Sequence, residues 1–234
     1  MYQYLLWDID GTILDFSAAE ACAIRALFEK HHLGICTDEM LRQYAQINVK
    51  YWQALERNEM TKPEILTGRF RDFFALYGLD TSLAATFNQD YQLALGDYPI
   101  FMPHAEQVLA EEKGRYVLIA VTNGTKVAQT KKMHLTGLDK IFDHVFISED
   151  VGIEKPNLAY FEYVFEQTGI TDKSQALIIG DSLTSDMRGG EIAGIDSCWF
   201  NPKHKENDCS ITVTYEIDDL RQLTEILNRK GASK

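Results

Sequence analysis

The chain has 234 residues, 45% hydrophobic and 25% charged, with a formal net charge of -12. That length allows one large domain or a domain with an insert. The acidity excludes a sequence-independent grip on nucleic acid or on an anionic membrane, both of which need clustered Lys and Arg, so a small-molecule partner is expected.

In chain order, short apolar runs at 1–10, 115–122, 143–148, 175–180 and 195–200 end near Gly, Asp, Asn or Ser, and most are separated by helix-length segments. This alternation predicts strands of a buried parallel sheet interleaved with helices, an α/β fold of Rossmann-like, doubly wound type. Residues 16–96 break the alternation. Ile24, Leu27, Phe28 and His31 recur at i, i+3, i+4, i+7, as do Leu41, Tyr44, Ala45 and Asn48, then Phe70, Phe73, Phe74 and Tyr77. Leu83, Phe87, Tyr91 and Leu95 form a fourth stripe. Thr37, Thr61 with Pro63, and Thr81 or Ser82 supply helix starts; Gly34, Gly78 and Gly96 supply stops. A four-helix insert over 16–96, held by a core of 1–15 and 97–234, follows. "GDYPIFMP" (96–103) is the return linker, where two prolines resist helix continuation. The insert is nearly neutral, with 8 Lys and Arg against 10 Asp and Glu, so the acidity belongs to the α/β part.

Ligands of open parallel sheets sit at the carboxyl ends of the strands. After the first strand comes "DIDGT", and after the second Thr122 with Asn123-Gly124. "GIEKPN", with Lys155, precedes the helix that follows the third, and "GDSLTSD", with Asp181 and Asp186, follows the fourth. Singly these are a turn, a hairpin, a surface lysine and a helix cap. Together they place carboxylates, a hydroxyl, a glycine turn and one lysine at the ends of a single sheet. Carboxylates share a site when a hard divalent cation joins them, and Mg²⁺ takes oxygen ligands and partners phosphate. A hydroxyl, backbone amides and a lysine complete the donors that phosphoryl transfer needs.

"DIDGTILD", "VLIAVTNG", "GIEKPN" and "IIGDSLTSD" resemble, in order, the four motifs of the haloacid dehalogenase superfamily, and a helical insert after the first is similar to that family's C1 cap. The strings "GIEKPNLAYFEYVFEQTGI" and "GDSLTSDMRGGEIAGIDSCWFNP" resemble the bacterial 5′-nucleotidases of the superfamily that act on pyrimidine and noncanonical nucleoside monophosphates. The resemblance implies Asp8 as nucleophile and Asp10 as general acid and base. It implies Mg²⁺ held by Asp8, the Asp10 carbonyl and Asp181. Thr122, Lys155 and the amides near Asn123 would bind the phosphoryl group, and Asp186 would orient Lys155 or a metal-bound water. Asp15 is expected to shape the turn into the cap. A sugar-phosphate phosphatase or phosphomutase of the superfamily would carry the same motifs. A phospho-receiver domain also joins acids, Thr and Lys at strand ends, but is about half as long.

Selectivity is expected from cap side chains, with Phe16, Tyr51, Trp52 and Arg69 as candidates; oligomeric state is not legible. Four scattered cysteines without a C-x-x-C pair, and an N-terminus without a basic start, predict reduced thiols in a cytoplasmic protein with no signal peptide. The longest apolar runs are too short to cross a bilayer.

Overall fold

The computed structural model describes residues 1–231. Its central strand, β1 (Tyr4–Trp7), pairs in parallel with β2 (Val117–Thr122) on one side and β4 (Ala176–Gly180) on the other. β3 (His144–Ile147) lies outside β2, and β5 (Asp196–Phe200) then β6 (Tyr215–Ile217) lie outside β4. The order is β3-β2-β1-β4-β5-β6, parallel throughout. It reverses direction between β1 and β4, which opens a crevice at their carboxyl ends.

Strand alternation explains why these runs are apolar throughout. Leu5, Trp7, Leu118, Ala120, Leu177 and Ile179 belong to one hydrophobic layer with α5 (Ala105–Glu112) and α10 (Arg221–Gly231). Leu6, Ile119, Val121 and Ile178 belong to the opposite layer with α8 (Leu158–Thr168) and α9 (Arg188–Ala193). Both faces are covered, so neither can alternate with polar residues. Two further helices, α6 (Lys126–Thr136) and the single turn α7 (Ser148–Val151), follow β2 and β3.

Residues 16–96 form the expected four helices: α1 (Phe16–Lys30), α2 (Asp38–Glu56), α3 (Lys62–Leu76) and α4 (Ala84–Leu95). They enclose an aromatic core of their own, with Phe28, Phe70, Phe73, Phe74, Phe87 and Tyr91 all buried. Tyr44 stacks on Phe70 with ring centroids 4.9 Å apart. The predicted starts hold at Thr37, which accepts from Met40 N, and at Thr61, which forms a capping box with Glu64. The third start differs. Asp80, rather than Thr81 or Ser82, caps a short 3₁₀ turn, because its carboxylate accepts the Ser82 amide at 2.9 Å. Asp15 caps α1 by accepting the Ala18 amide at 3.0 Å, the structural part expected of it.

The two chain crossings between helices and sheet run side by side. Asp15 N donates to Ile100 O and Met102 N to Ile13 O, and Leu14 bridges Phe101. No sequence pattern announces strand β6, whose three residues are too few to show one. No helix among the described residues is long and apolar enough to cross a membrane, and all four cysteines are free.

Candidate active site

Asp8 is the first residue beyond β1, and its amide still donates to Ile179 O at 2.9 Å, so the sheet ladder fixes the backbone beneath the carboxylate. The chain then turns at Gly11, whose φ of +96° favours glycine. A Cβ there would also lie 2.8 Å from the Asp181 carboxylate, so the turn brings the β1 and β4 loops into contact. Thr12, fully buried in this turn, donates to Asp8 Oδ2 at 3.2 Å.

At the end of β4, Trp199 Nε1 holds Asp181 O at 3.0 Å. A π-helical turn, Leu183–Met187, follows, capped by Ser182. It carries Asp186 back beneath the strand end, where Asp186 Oδ2 accepts the Ser182 amide at 3.1 Å. Gly180 makes room for this: a Cβ on it would lie 2.3 Å from Asp186 Oδ2.

Lys155 joins the loops. Its ammonium donates to Asp8 Oδ1 at 2.8 Å, Asp186 Oδ1 at 2.7 Å and Val121 O at 2.8 Å, which uses all three of its protons in a buried position. Asn123 holds the backbone of this lysine from both sides. Its Nδ2 donates to Lys155 O and its Oδ1 accepts Lys155 N, both at 2.9 Å. The carboxamide of Asn123 is thus committed to Lys155, and what Asn123 offers a ligand is its main-chain amide. Thr122, also buried, accepts the Gly124 amide at 3.0 Å.

One oxygen from each of Asp8, Asp181 and Asp186 lies within 4.8 Å of the others. Burial, and then repulsion from Asp186, hold the Asp8 carboxyl well above the usual range, against the pull of Lys155. Burial and Asp186 likewise push Asp181 up to about 7, with Lys205 opposing. Burial works against the Lys155 ammonium, but Asp186 and Asp8 outweigh it and hold its pKa above the ordinary value. Three carboxyl groups against one ammonium make an acidic, all-oxygen donor set in which Asp8 and Asp186 are buried and Asp181 is half-buried. That is the chemistry of a Mg²⁺ site, and the residues fit the ion.

Asp10 stands apart from this cluster. Its carboxylate is bonded from α6, where Gln129 Nε2 donates to Oδ2 and Lys132 Nζ donates to Oδ1 at 2.6 Å. Neither partner is evident in the sequence, because a Gln and a Lys three apart read as the solvated face of a helix.

Above these groups lies a cleft of about 700 Å³, roofed by the four helices, within the size range of small-molecule sites. Of the four cap candidates, Phe16, Trp52 and Arg69 line it. Tyr51 does not: it packs on Gly68 of α3 and donates to Asp72 at 2.7 Å. Successive residues of a helix do not share a face. Arg69 is buried and spends two of its N–H groups on Asn48 (2.7 Å) and Asn88 (3.3 Å). Asn48 in turn donates to Glu20 at 2.9 Å, and burial pushes Glu20 up to about 7. Glu56, at the end of α2, also borders the cleft, and burial pushes it to about 7.

A model of the haloacid dehalogenase-like hydrolases matches residues 5–200. The chain belongs to this hydrolase family. Over 97% of its length the hydrolase is 41% identical to the HAD-hydrolase YfnB of Bacillus subtilis, 96% of which is covered. It is 34% identical to the pyrimidine 5′-nucleotidase PynA of Streptococcus pneumoniae, over 100% of this chain and 98% of that one. With the pyrimidine 5′-nucleotidase YjjG of Escherichia coli it shares 28% identity, over 97% and 98%. A structure of Bacillus subtilis YfnB, described as bound to magnesium and as revealing interdomain movement, matches with a TM-score of 0.92, covering 97% of this chain and 99% of that one. The L-2-haloacid dehalogenase of Xanthobacter autotrophicus, 17% identical over 97% and 99%, shares the fold with a TM-score of 0.75.

Proposed function

We propose that this hydrolase is a Mg²⁺-dependent phosphatase that releases phosphate from nucleoside 5′-monophosphates through an aspartyl-phosphate on Asp8. Residues 16–96 act as a cap over the catalytic core of 1–15 and 97–234. The observation that carries the reading is the buried Lys155 ammonium in contact with both Asp8 and Asp186, at the carboxyl ends of β1, β2 and β4. Nucleotidase relatives at 34% and 28% identity support the substrate class.

In the first step Asp8 Oδ2 attacks phosphorus, the ester P–O bond breaks, and Asp10 gives its proton to the leaving 5′-oxygen. In the second, water attacks phosphorus, Asp10 takes the water's proton, and Asp8 leaves as carboxylate. Thr122 Oγ1, Lys155 Nζ and the amides after Asn123 hold the remaining phosphoryl oxygens. Lys155 changes partner as it does so, since all three of its protons are already engaged. Asp186 keeps one of these bonds and fixes the ammonium. Asp8, Asp181 and the Asp10 carbonyl would hold Mg²⁺, which when bound supplies positive charge against the oxygens of the phosphoryl group. Trp52 and Phe16, at the cleft wall, offer apolar ring surface to the base.

A phosphate-release screen over nucleoside 5′-monophosphates and sugar phosphates, with Mg²⁺ and no bisphosphate cofactor, tests the reading. Turnover of nucleotides ahead of sugar phosphates is expected. Preference for sugar phosphates refutes the substrate class, and phosphoryl transfer to a second sugar phosphate instead of water refutes hydrolysis.

A further inference from the structure

Two side chains outside every motif grip the carboxylate of Asp10, one on each oxygen. Gln129 and Lys132 lie three residues apart on α6, on one face of the helix, and both are 1% exposed. Burying a lysine is costly unless it is paired, and the hydrogen bond of Lys132 Nζ is to Asp10, with the Phe16 ring 5.5 Å away. The Gln129 amide nitrogen donates to Asp10, while its Oε1 is buried without a hydrogen-bond partner among the described residues. Two neighbours are arranged around this grip. A Cβ on Gly124 would lie 2.1 Å from Gln129 Nε2, so glycine at 124 leaves the amide its path. Thr125, the first-turn anchor of α6, donates to Gln92 of α4 at 2.7 Å and pins the start of the helix.

We propose that Lys132 and Gln129 are positioning residues that hold the Asp10 carboxyl at the angle needed to protonate the leaving oxygen. The inference rests on the reading of Asp10 as the general acid. Such an acid works only within hydrogen-bond reach of the atom it protonates, and an aspartate left free to rotate at the cleft edge loses that placement. The two bonds fix both oxygens, and so fix the plane of the carboxyl group. Both side chains line the cleft, but neither bonds to Asp8, whose carboxylate is held by Lys155 and Thr12, and so attack by Asp8 keeps its geometry without them.

The leaving group separates this role from a structural one. A nucleoside 5′-oxygen leaves as a basic alkoxide and needs the proton, whereas p-nitrophenolate leaves without it. Single turnovers with enzyme in excess and Mg²⁺ present isolate the first step, using uridine 5′-monophosphate and p-nitrophenyl phosphate as probes. For Lys132→Met and Gln129→Leu, release of uridine is expected to slow about 100-fold and release of p-nitrophenol less than about threefold. KM stays unchanged for both, and Lys132→Arg restores much of the loss.

Equal slowing of both probes in protein with a native circular-dichroism melt overturns the proposal, as does a raised KM for both, which would make Lys132 a substrate ligand. Should Lys132→Met not fold, Gln129→Leu and Lys132→Arg carry the same comparison. Asp10→Asn serves as the reference. If it shows no selective loss of uridine release, the reading of Asp10 as acid fails. If it does and the α6 variants do not, the positioning proposal alone fails.

Discussion

Replacing Lys155 by Met removes the only ammonium that touches the carboxylate cluster among the described residues, and does so at nearly constant volume. It strands Asp8 and Asp186, both buried, and leaves Val121 O without its donor. Breaking a buried ion pair by deleting one partner costs about 3–5 kcal/mol. The upper half of that range is expected here, because one lysine serves two carboxylates. For a chain of this length that is a fall of about 8–20 °C in melting temperature, out of a total stability on the order of 5–15 kcal/mol.

The pH dependence has a definite sign. The Lys155 pKa is raised above its ordinary 10.5, so its stabilisation is fully present below that pH and is lost only as the solution passes the folded value. The Lys155 contribution itself is therefore constant between about pH 7 and 9, and a pH dependence of the destabilisation by Lys155→Met in that range comes from the carboxyl groups it strands. Urea unfolding of metal-free protein, followed by circular dichroism, measures it. Adding Asp186→Asn removes one stranded charge and recovers about 1–3 kcal/mol of coupling. A loss below about 1 kcal/mol, or no recovery in the double variant, refutes the reasoning.

The same geometry fixes further outcomes. Asp8→Asn abolishes phosphate release, and Asp10→Asn slows it by about 10²–10⁴ on nucleotides in steady-state assays. Gly180→Ala puts a methyl group 2.3 Å from Asp186 Oδ2 and 2.5 Å from its Cβ; the side chain must leave its place, at a cost of about 1–3 kcal/mol in unfolding assays and with activity lost alongside. Burial raises Glu20 from 4.5 to about 7, so its contribution is fully present below about pH 4.5 and is lost as the pH rises through 7; Glu20→Gln, a neutral mimic, is more stable than the parent by about 2 kcal/mol at pH 8 and equal to it near pH 5 in chemical denaturation. Chelation of divalent ions ends turnover, and added Mg²⁺ raises the melting temperature of the parent but not that of Asp181→Asn.

The parts of the fold visible in the sequence are those that repeat a physical rule over several residues. Runs such as "VLIAV" and "ALII" are apolar at every position because both sheet faces are covered. Thr37, Thr61 and Asp15 are legible as caps because a side-chain oxygen beside a helical pattern has few other uses. The candidate site is legible in the same way: Asp8, Thr122 and Asp181 stand where β1, β2 and β4 stop, Asp186 follows in the next turn and Lys155 in the loop beyond β3, and the sheet brings these strand ends together.

What escaped depends on three-dimensional neighbours that no local pattern encodes. The amides near Asn123 are legible as phosphate donors, but the commitment of its carboxamide to the Lys155 backbone, 32 positions away, is not. Gln129 and Lys132 have the spacing of a solvated helix face and are buried only because α6 turns that face towards Asp10. Tyr51 and Trp52 are adjacent, and the helix sends Trp52 to the cleft and Tyr51 against Gly68 of α3. The back-folding of Asp186 depends on a π-helical turn and on the missing side chain of Gly180, neither of which a residue-spacing rule anticipates.

The central claim is that Asp8 becomes phosphorylated during turnover, and trapping that intermediate tests it most directly. Enzyme mixed with Mg²⁺ and excess uridine 5′-monophosphate is quenched within the first turnover and treated with borohydride, which reduces an acyl phosphate to the alcohol. Peptide mass spectrometry should then find homoserine in place of aspartate at position 8 in the parent and not in Asp8→Asn. Phosphate release at full rate with position 8 unmodified, or reduction at a different carboxylate, would contradict it.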